Sequence, residues 1–232
     1  MELDMKINFY GNSLCGRNRD GKFDTWVDRI ITELNCDRPE YIGIAQCSEE
    51  RILFNLKKSE PFDLAIIMHG EPGFIFCPTF QRDLHKQSNK VLQFNKTYDY
   101  YPGSLKDEKQ TRESELIQLT PEETKQTVET YQKYFYTPET NRNRFYGALI
   151  QIDQYLKFKN IPTIHCPQHR HDIPKWFTFT SGPVLYDIAT MQHDNSPYYC
   201  GYNKSSNAVN EEGNEIIFNK ILEQINLLIP SK

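Results

Sequence analysis

The side chains most able to do chemistry fall in four short stretches, each just after an apolar run. They are Gly11-Asn12-Ser13-Leu14-Cys15, Gln46-Cys47-Ser48, His69-Gly70-Glu71-Pro72 and His165-Cys166-Pro167. A serine hydroxyl becomes a nucleophile when a neighbouring base takes its proton, and an imidazole is the commonest such base. Backbone N–H groups at a strand-to-helix turn can hold the oxyanion that follows attack. Ser13 is the hydroxyl that stands at such a turn. Asn12, Arg17, His69 and His165 are candidate substrate-binding residues beside it.

These stretches need a scaffold that brings them together. Residues 5–10 read as a first strand ending in Gly11. Residues 24–35 place Trp26, Val27, Ile30, Ile31 and Leu34 at helical spacing. Residues 41–45 read as a second short strand and residues 49–57 as a second helix. Residues 63–68 are a continuous apolar run, as in strands buried on both faces of a parallel sheet. This β-α-β-α-β alternation predicts a parallel sheet. Further on, Thr120-Pro121-Glu122-Glu123 and Thr137-Pro138 are helix starts. The second of these runs to about residue 159, with Phe145, Leu149, Ile152 and Leu156 facing inward. Residues 161–165 form a further strand, and a last helix begins near Glu211, capped by Asn210. The expected fold is a single three-layer α/β/α domain with a mostly parallel sheet of four or five strands and a helical insertion at about 82–145. In such sheets ligands bind beyond the carboxyl ends of the strands, where the four stretches fall.

Gly11-Asn12-Ser13-Leu14 resembles the first motif of the SGNH (GDSL-type) hydrolases, with Asn12 in place of the aspartate. Asn207-Ala208-Val209-Asn210-Glu211-Glu212-Gly213 resembles the same family's closing segment, matching at Asn210 and Gly213. The resemblance covers roughly residues 5–80 and 160–228. It implies an SGNH/flavodoxin-like fold and hydrolysis of an ester or acyl group by Ser13. It also implies an oxyanion held by the Ser13 N–H, Gly70 and the Gln46 region. The chain departs from the pattern at four positions. Ala208 stands where the family keeps its catalytic histidine, and Ser205 where it keeps the aspartate. Gln46 replaces a glycine, and Pro72 replaces an asparagine donor. A serine without a base is a poor nucleophile at neutral pH, so the chain as written is expected to be inactive or weak. Two readings of Ala208 stay open: a natural pseudo-enzyme that binds a carbohydrate or acylated ligand, or an engineered disabling change. His69 or His165 as a displaced base is a third route. The compact core with a Tyr-, Asn- and Lys-rich insertion is similar in style to SGNH-like proteins of phage type.

Each signal has a plainer reading. Ser13 at a strand-to-helix turn is also a good helix cap. Gly11 to Gly16 has phosphate-loop glycine spacing, but Arg17 and Asn18 stand where Lys and Ser/Thr belong. His165, Cys166, His169, His171 and Asp172 are the densest ligand cluster, yet their spacing fits no standard metal motif, so neither metal nor cofactor is expected. Arg17, Arg19 and Lys22 read equally as solvated surface. Tyr98, Tyr100, Tyr101, Tyr131, Tyr134, Phe135 and Tyr136 read as helix packing or as a stacking surface for a ring. The formal net charge of −4 supplies no global attraction for nucleic acid or an anionic membrane. The expected partner is a small ester, acyl or carbohydrate ligand. Six cysteines without a CxxC pair, an acidic N-terminal stretch and no long apolar segment predict a cytoplasmic chain with free thiols.

Overall fold

A computed structural model describes residues 5–11, 15, 24–37, 39, 47–70, 74–77, 82–85, 126, 130, 133–134, 137–167 and 209–229; for 74–77, 82–85 and 138 it describes the backbone alone. Three strands, β1 (Ile7–Gly11), β2 (Leu64–Met68) and β5 (Thr163–Cys166), pair in parallel in the order β1-β2-β5. Register pairs Gly11 with Met68 and Ile67 with His165. The His69 N–H donates to the Cys166 carbonyl at 2.9 Å, which carries the ladder one residue past β2.

Side chains alternate across this sheet. On one face Ile7, Phe9, Leu64, Ile66, Met68, Ile164 and Cys166 meet α1 (Trp26–Glu33) and α4 (Glu211–Leu228). On the other face Tyr10, Ala65 and Ile67 meet α2 (Glu49–Lys58) and α3 (Pro138–Phe158). The fold is therefore α/β, with a parallel sheet between two helical layers. Leu64 to Met68 are fully buried, as expected for an apolar run in the centre of a parallel sheet.

Local chemistry sets the helix starts. Thr25 and Asp28 form a capping box on α1. Ser48 accepts from the Arg51 N–H to start α2, and Thr137 from the Thr140 N–H to start α3. Asn210 accepts from the Gly213 N–H to start α4. Arg144 of α3 pairs with Glu50 of α2, tying the two helices of one layer together.

The described strands form this three-stranded parallel sheet and a separate antiparallel hairpin not expected from the sequence, β3 (Phe74–Cys77) with β4 (Arg82–His85). Helix α3 runs unbroken to Phe158, as the start at Thr137-Pro138 leads one to expect. The expected strand at 41–45 and the expected helix start at Thr120 lie outside the described residues. No described helix is long and apolar enough to cross a membrane.

Candidate functional site

At the carboxyl end of β1 the backbone turns through Gly11 at φ +138°, where a Cβ would stand 2.2 Å from the Met68 carbonyl oxygen. Only glycine fits both that angle and that approach. Cys15 follows, buried, its Sγ donating to the Tyr10 carbonyl at 3.4 Å. Burial first, and then the neighbouring Cys166, pushes the Cys15 thiol well above its ordinary range. It is a packed thiol and no nucleophile.

The N-terminus of α4 reaches the same end of the sheet. Asn214 accepts from the Trp26 N–H at 3.0 Å and donates to the carbonyls of Val209 and Asn210 at 3.0 and 2.9 Å. The first turn of α4 is thereby bonded to the first turn of α1. Arg29 adds ion pairs to Glu211 and Glu215, each at 3.7 Å. Val209 is buried in the same cluster as Cys15, Met68 and Cys166.

On the opposite face the strand ends carry a buried polar chain. Glu49, the first residue of α2, accepts the Gly70 N–H on Oε1 at 2.8 Å, and its Oε2 lies 2.8 Å from His69 Nδ1. His69 Nε2 lies 2.9 Å from His165 Nδ1. The ring centres are 5.1 Å apart and the planes within 3° of each other. With an N···N contact of 2.9 Å, that separation leaves the rings edge to edge in one plane, joined by a hydrogen bond along their common axis. His165 Nε2 faces Asp153 Oδ1 at 3.8 Å, beyond hydrogen-bond range, and Asp153 is paired with Lys157 at 2.7 Å. Burial first, then the charges of His69 and Lys157, hold the His165 imidazole well below its usual range, so it is neutral at pH 7. Gly70 closes the assembly: a Cβ there would meet the Cys47 carbonyl oxygen at 2.6 Å.

His69, Gly70 and His165 are thus brought together, with both imidazoles buried and bonded to each other. The Gly70 N–H, which the family resemblance offers to an oxyanion, is donated to Glu49. Cys47 is buried on the α2 side and Cys15 on the α1 side, so the two thiols lie on opposite faces of the sheet, where the sequence suggests one shared region. Asn12, Ser13, Arg17, Gln46, Ser205 and Ala208 lie outside the described residues, as do His169, His171 and Asp172. Among the described residues no group of three or more ligating side chains is arranged to hold a metal. Sequence reasoning missed Glu49 and Asp153. The available signal was an acid on an apolar stripe: Glu49 shares a helix face with Ile52 and Leu56, and Asp153 lies between Leu149 and Leu156.

No family model matches the chain, and no curated protein matches it. Among solved structures it is similar to a member of the lipolytic protein G-D-S-L family from Veillonella parvula DSM 2008. The two are 17% identical over 94% of this chain and 97% of that one, with a TM-score of 0.35. The fold assigned above rests on the sheet order and the two helical layers, independently of that likeness.

Proposed function

We propose that the chain is a serine hydrolase of the SGNH type acting on an ester or acyl group, disabled or weakened as written because Ala208 occupies the position of the base. Convergence at one end of the sheet supports this reading. Gly11 and Cys15 bracket Ser13 in sequence, and Val209 follows Ala208. Cys15 and Val209 both pack in the core on one face of the sheet, and the first turn of α4 is bonded to that of α1, the helix that follows β1. In this reading Ser13 attacks the acyl carbon, and the N–H groups of Ser13 and Gln46 hold the oxyanion. Asn12 and Arg17 contact the substrate. Gly70 contributes only after leaving Glu49.

The test restores the base. Ala208→His is assayed on short p-nitrophenyl esters beside the unaltered chain and the Ala208→His, Ser13→Ala double variant. A positioned general base contributes about 10²–10⁴-fold. A gain of at least about a hundredfold that Ser13→Ala removes is the expected outcome. Silence of Ala208→His on all esters, with no labelling of Ser13 by a fluorophosphonate, would overturn the proposal.

A second reading has its own support. The Gly70 N–H is committed to Glu49, Pro72 has no N–H to donate, and position 208 has no imidazole. Such a set of residues suits binding of a carbohydrate or acylated ligand without turnover. The same assay separates the two readings.

A further inference from the structure

Position 208 leads into the last helix through two residues that one side chain holds. Val209, next in the chain, is fully buried in the core, and Asn210 caps α4. Asn214 of α4, itself fully buried, donates from Nδ2 to the Val209 carbonyl at 3.0 Å and to the Asn210 carbonyl at 2.9 Å. The Asn210 carbonyl also accepts the Asn214 backbone N–H at 3.0 Å, which opens the helix ladder. The Val209 carbonyl precedes that ladder. The amide therefore carries the order of the helix back to Val209, the residue that adjoins position 208. At its other end Asn214 Oδ1 accepts from the Trp26 N–H at 3.0 Å. Trp26 is the first residue of α1, and its ring packs edge-on against Phe9 of β1, with centroids 5.6 Å apart. One buried amide thus connects the segment that carries position 208 with the helix that follows the turn carrying Ser13. A carboxamide suits the place because it offers an acceptor and two donors at once.

We propose that Asn214 is a positioning residue of the hydrolase site, setting where the residue at 208 stands against Ser13. The inference rests on the hydrolase reading above. A general base acts within about 2.6–3.2 Å of the hydroxyl it deprotonates, and misplacing a reacting group by about 1 Å can cost about a hundredfold in rate. Asn214 acts on that distance through Val209 and Trp26. The two halves of its amide differ in what they hold. Oδ1 fixes α4 to α1, which is a contribution to stability. Nδ2 fixes the Val209 carbonyl, and with it the approach of residue 208. Asn214→Asp keeps the oxygen and loses both donors, whereas Asn214→Leu, similar in size, loses all three bonds. Stability and rate should therefore part company in Asn214→Asp.

The test uses the full chain with Ala208→His as the parent, at a temperature where circular dichroism shows each variant folded. Rates on p-nitrophenyl esters are read at the plateau of each pH profile, so that a shifted base does not pass for a misplaced one. Asn214→Leu and Asn214→Asp should each lower kcat by about a hundredfold, with KM held within about twofold. Asn214→Asp should do so although its melting temperature lies nearer that of the parent, and it carries the test alone where Asn214→Leu does not fold. A kcat that recovers in Asn214→Asp in step with the melting temperature, or that stays within about threefold of the parent in Asn214→Asp, overturns the inference and leaves the hydrolase reading standing. A second measurement needs no turnover. The Ser13→Cys, Ala208→Cys double variant is treated with dibromobimane, a short thiol-to-thiol cross-linker, and the linked peptides are mapped. Adding Asn214→Asp should slow the link between the two introduced thiols by about tenfold, through their lower effective concentration. If Ala208→His is silent on every ester, the hydrolase reading fails, and the cross-linking rate decides whether Asn214 positions residue 208. A rate unchanged by Asn214→Asp overturns that role.

Discussion

Single atoms decide several features at the strand ends. Gly11 is held at φ +138° with its α-carbon against the Met68 carbonyl, so Gly11→Ala adds both a strained angle and a collision. Gly70→Ala adds the collision alone, at 2.6 Å from the Cys47 carbonyl. Overpacking typically costs about 1–3 kcal/mol, and a strained backbone angle a similar amount. Urea unfolding should therefore find Gly70→Ala destabilised by about 2 kcal/mol and Gly11→Ala by more. The reverse order would mean that the turn after β1 relaxes more easily than the contact between Gly70 and Cys47. The thiols give a second expectation at this scale. Cys15 and Cys166 are fully buried, and burial raises both above their ordinary range. Thiolate is the reactive form, so peptide mapping after maleimide treatment of native protein at pH 7 should find both unmodified, and both modified in urea.

At the scale of elements, Asn214 does work that no local pattern announces. Its side chain joins the start of α4 to the start of α1 across 188 residues. Asn214→Leu leaves the buried Trp26 N–H without that acceptor, a loss of about 1–3 kcal/mol, and Asn214→Asp should recover part of it by keeping the oxygen. Thermal unfolding of both variants checks this. The contrast explains what the sequence made legible. Helix starts at Thr137 and Asn210, the central run through Leu64 to Met68 and the stripe Phe145, Leu149, Ile152 and Leu156 are local signals of capping and period, and the structure has them. Placement of His69 and His165 at strand ends was legible for the same reason. Their bond to each other spans 96 residues and the bond to Glu49 spans 20. Both depend on strand order and on which helix covers which face, and neither leaves a spacing in the chain. The β3–β4 hairpin was missed because Phe74 to Cys77 is a short apolar run without alternation, ambiguous by periodicity alone.

Across the whole molecule the buried ionisable groups set how stability depends on pH. His165 is held below its usual range by burial, then by His69 and Lys157. In the unfolded chain its imidazole titrates near about 6.5. Above that pH neither state binds the proton, and the full stability is present. As pH falls below about 6.5 the unfolded state takes up a proton that the folded state refuses, so stability falls by up to about 1.4 kcal/mol per pH unit until the folded-state value is reached. The thiols act in the opposite sense. Cys15 and Cys166 keep their protons in the fold above the ordinary value of 9.0, whereas the unfolded chain releases them. Stability therefore falls as pH rises past about 9, again by up to about 1.4 kcal/mol per pH unit for each thiol. Urea unfolding at constant ionic strength should trace a plateau between these limits with a shoulder on each side. His165→Asn should flatten the shoulder nearest neutrality on the acid side, leaving the carboxylate-driven loss at lower pH. Cys166→Ala should reduce the alkaline slope without moving the acid one. A native chain equally stable at pH 9 and pH 10.5 would mean that the two thiols meet water in the fold, which would contradict the packing of α1 and α4 against the strand ends.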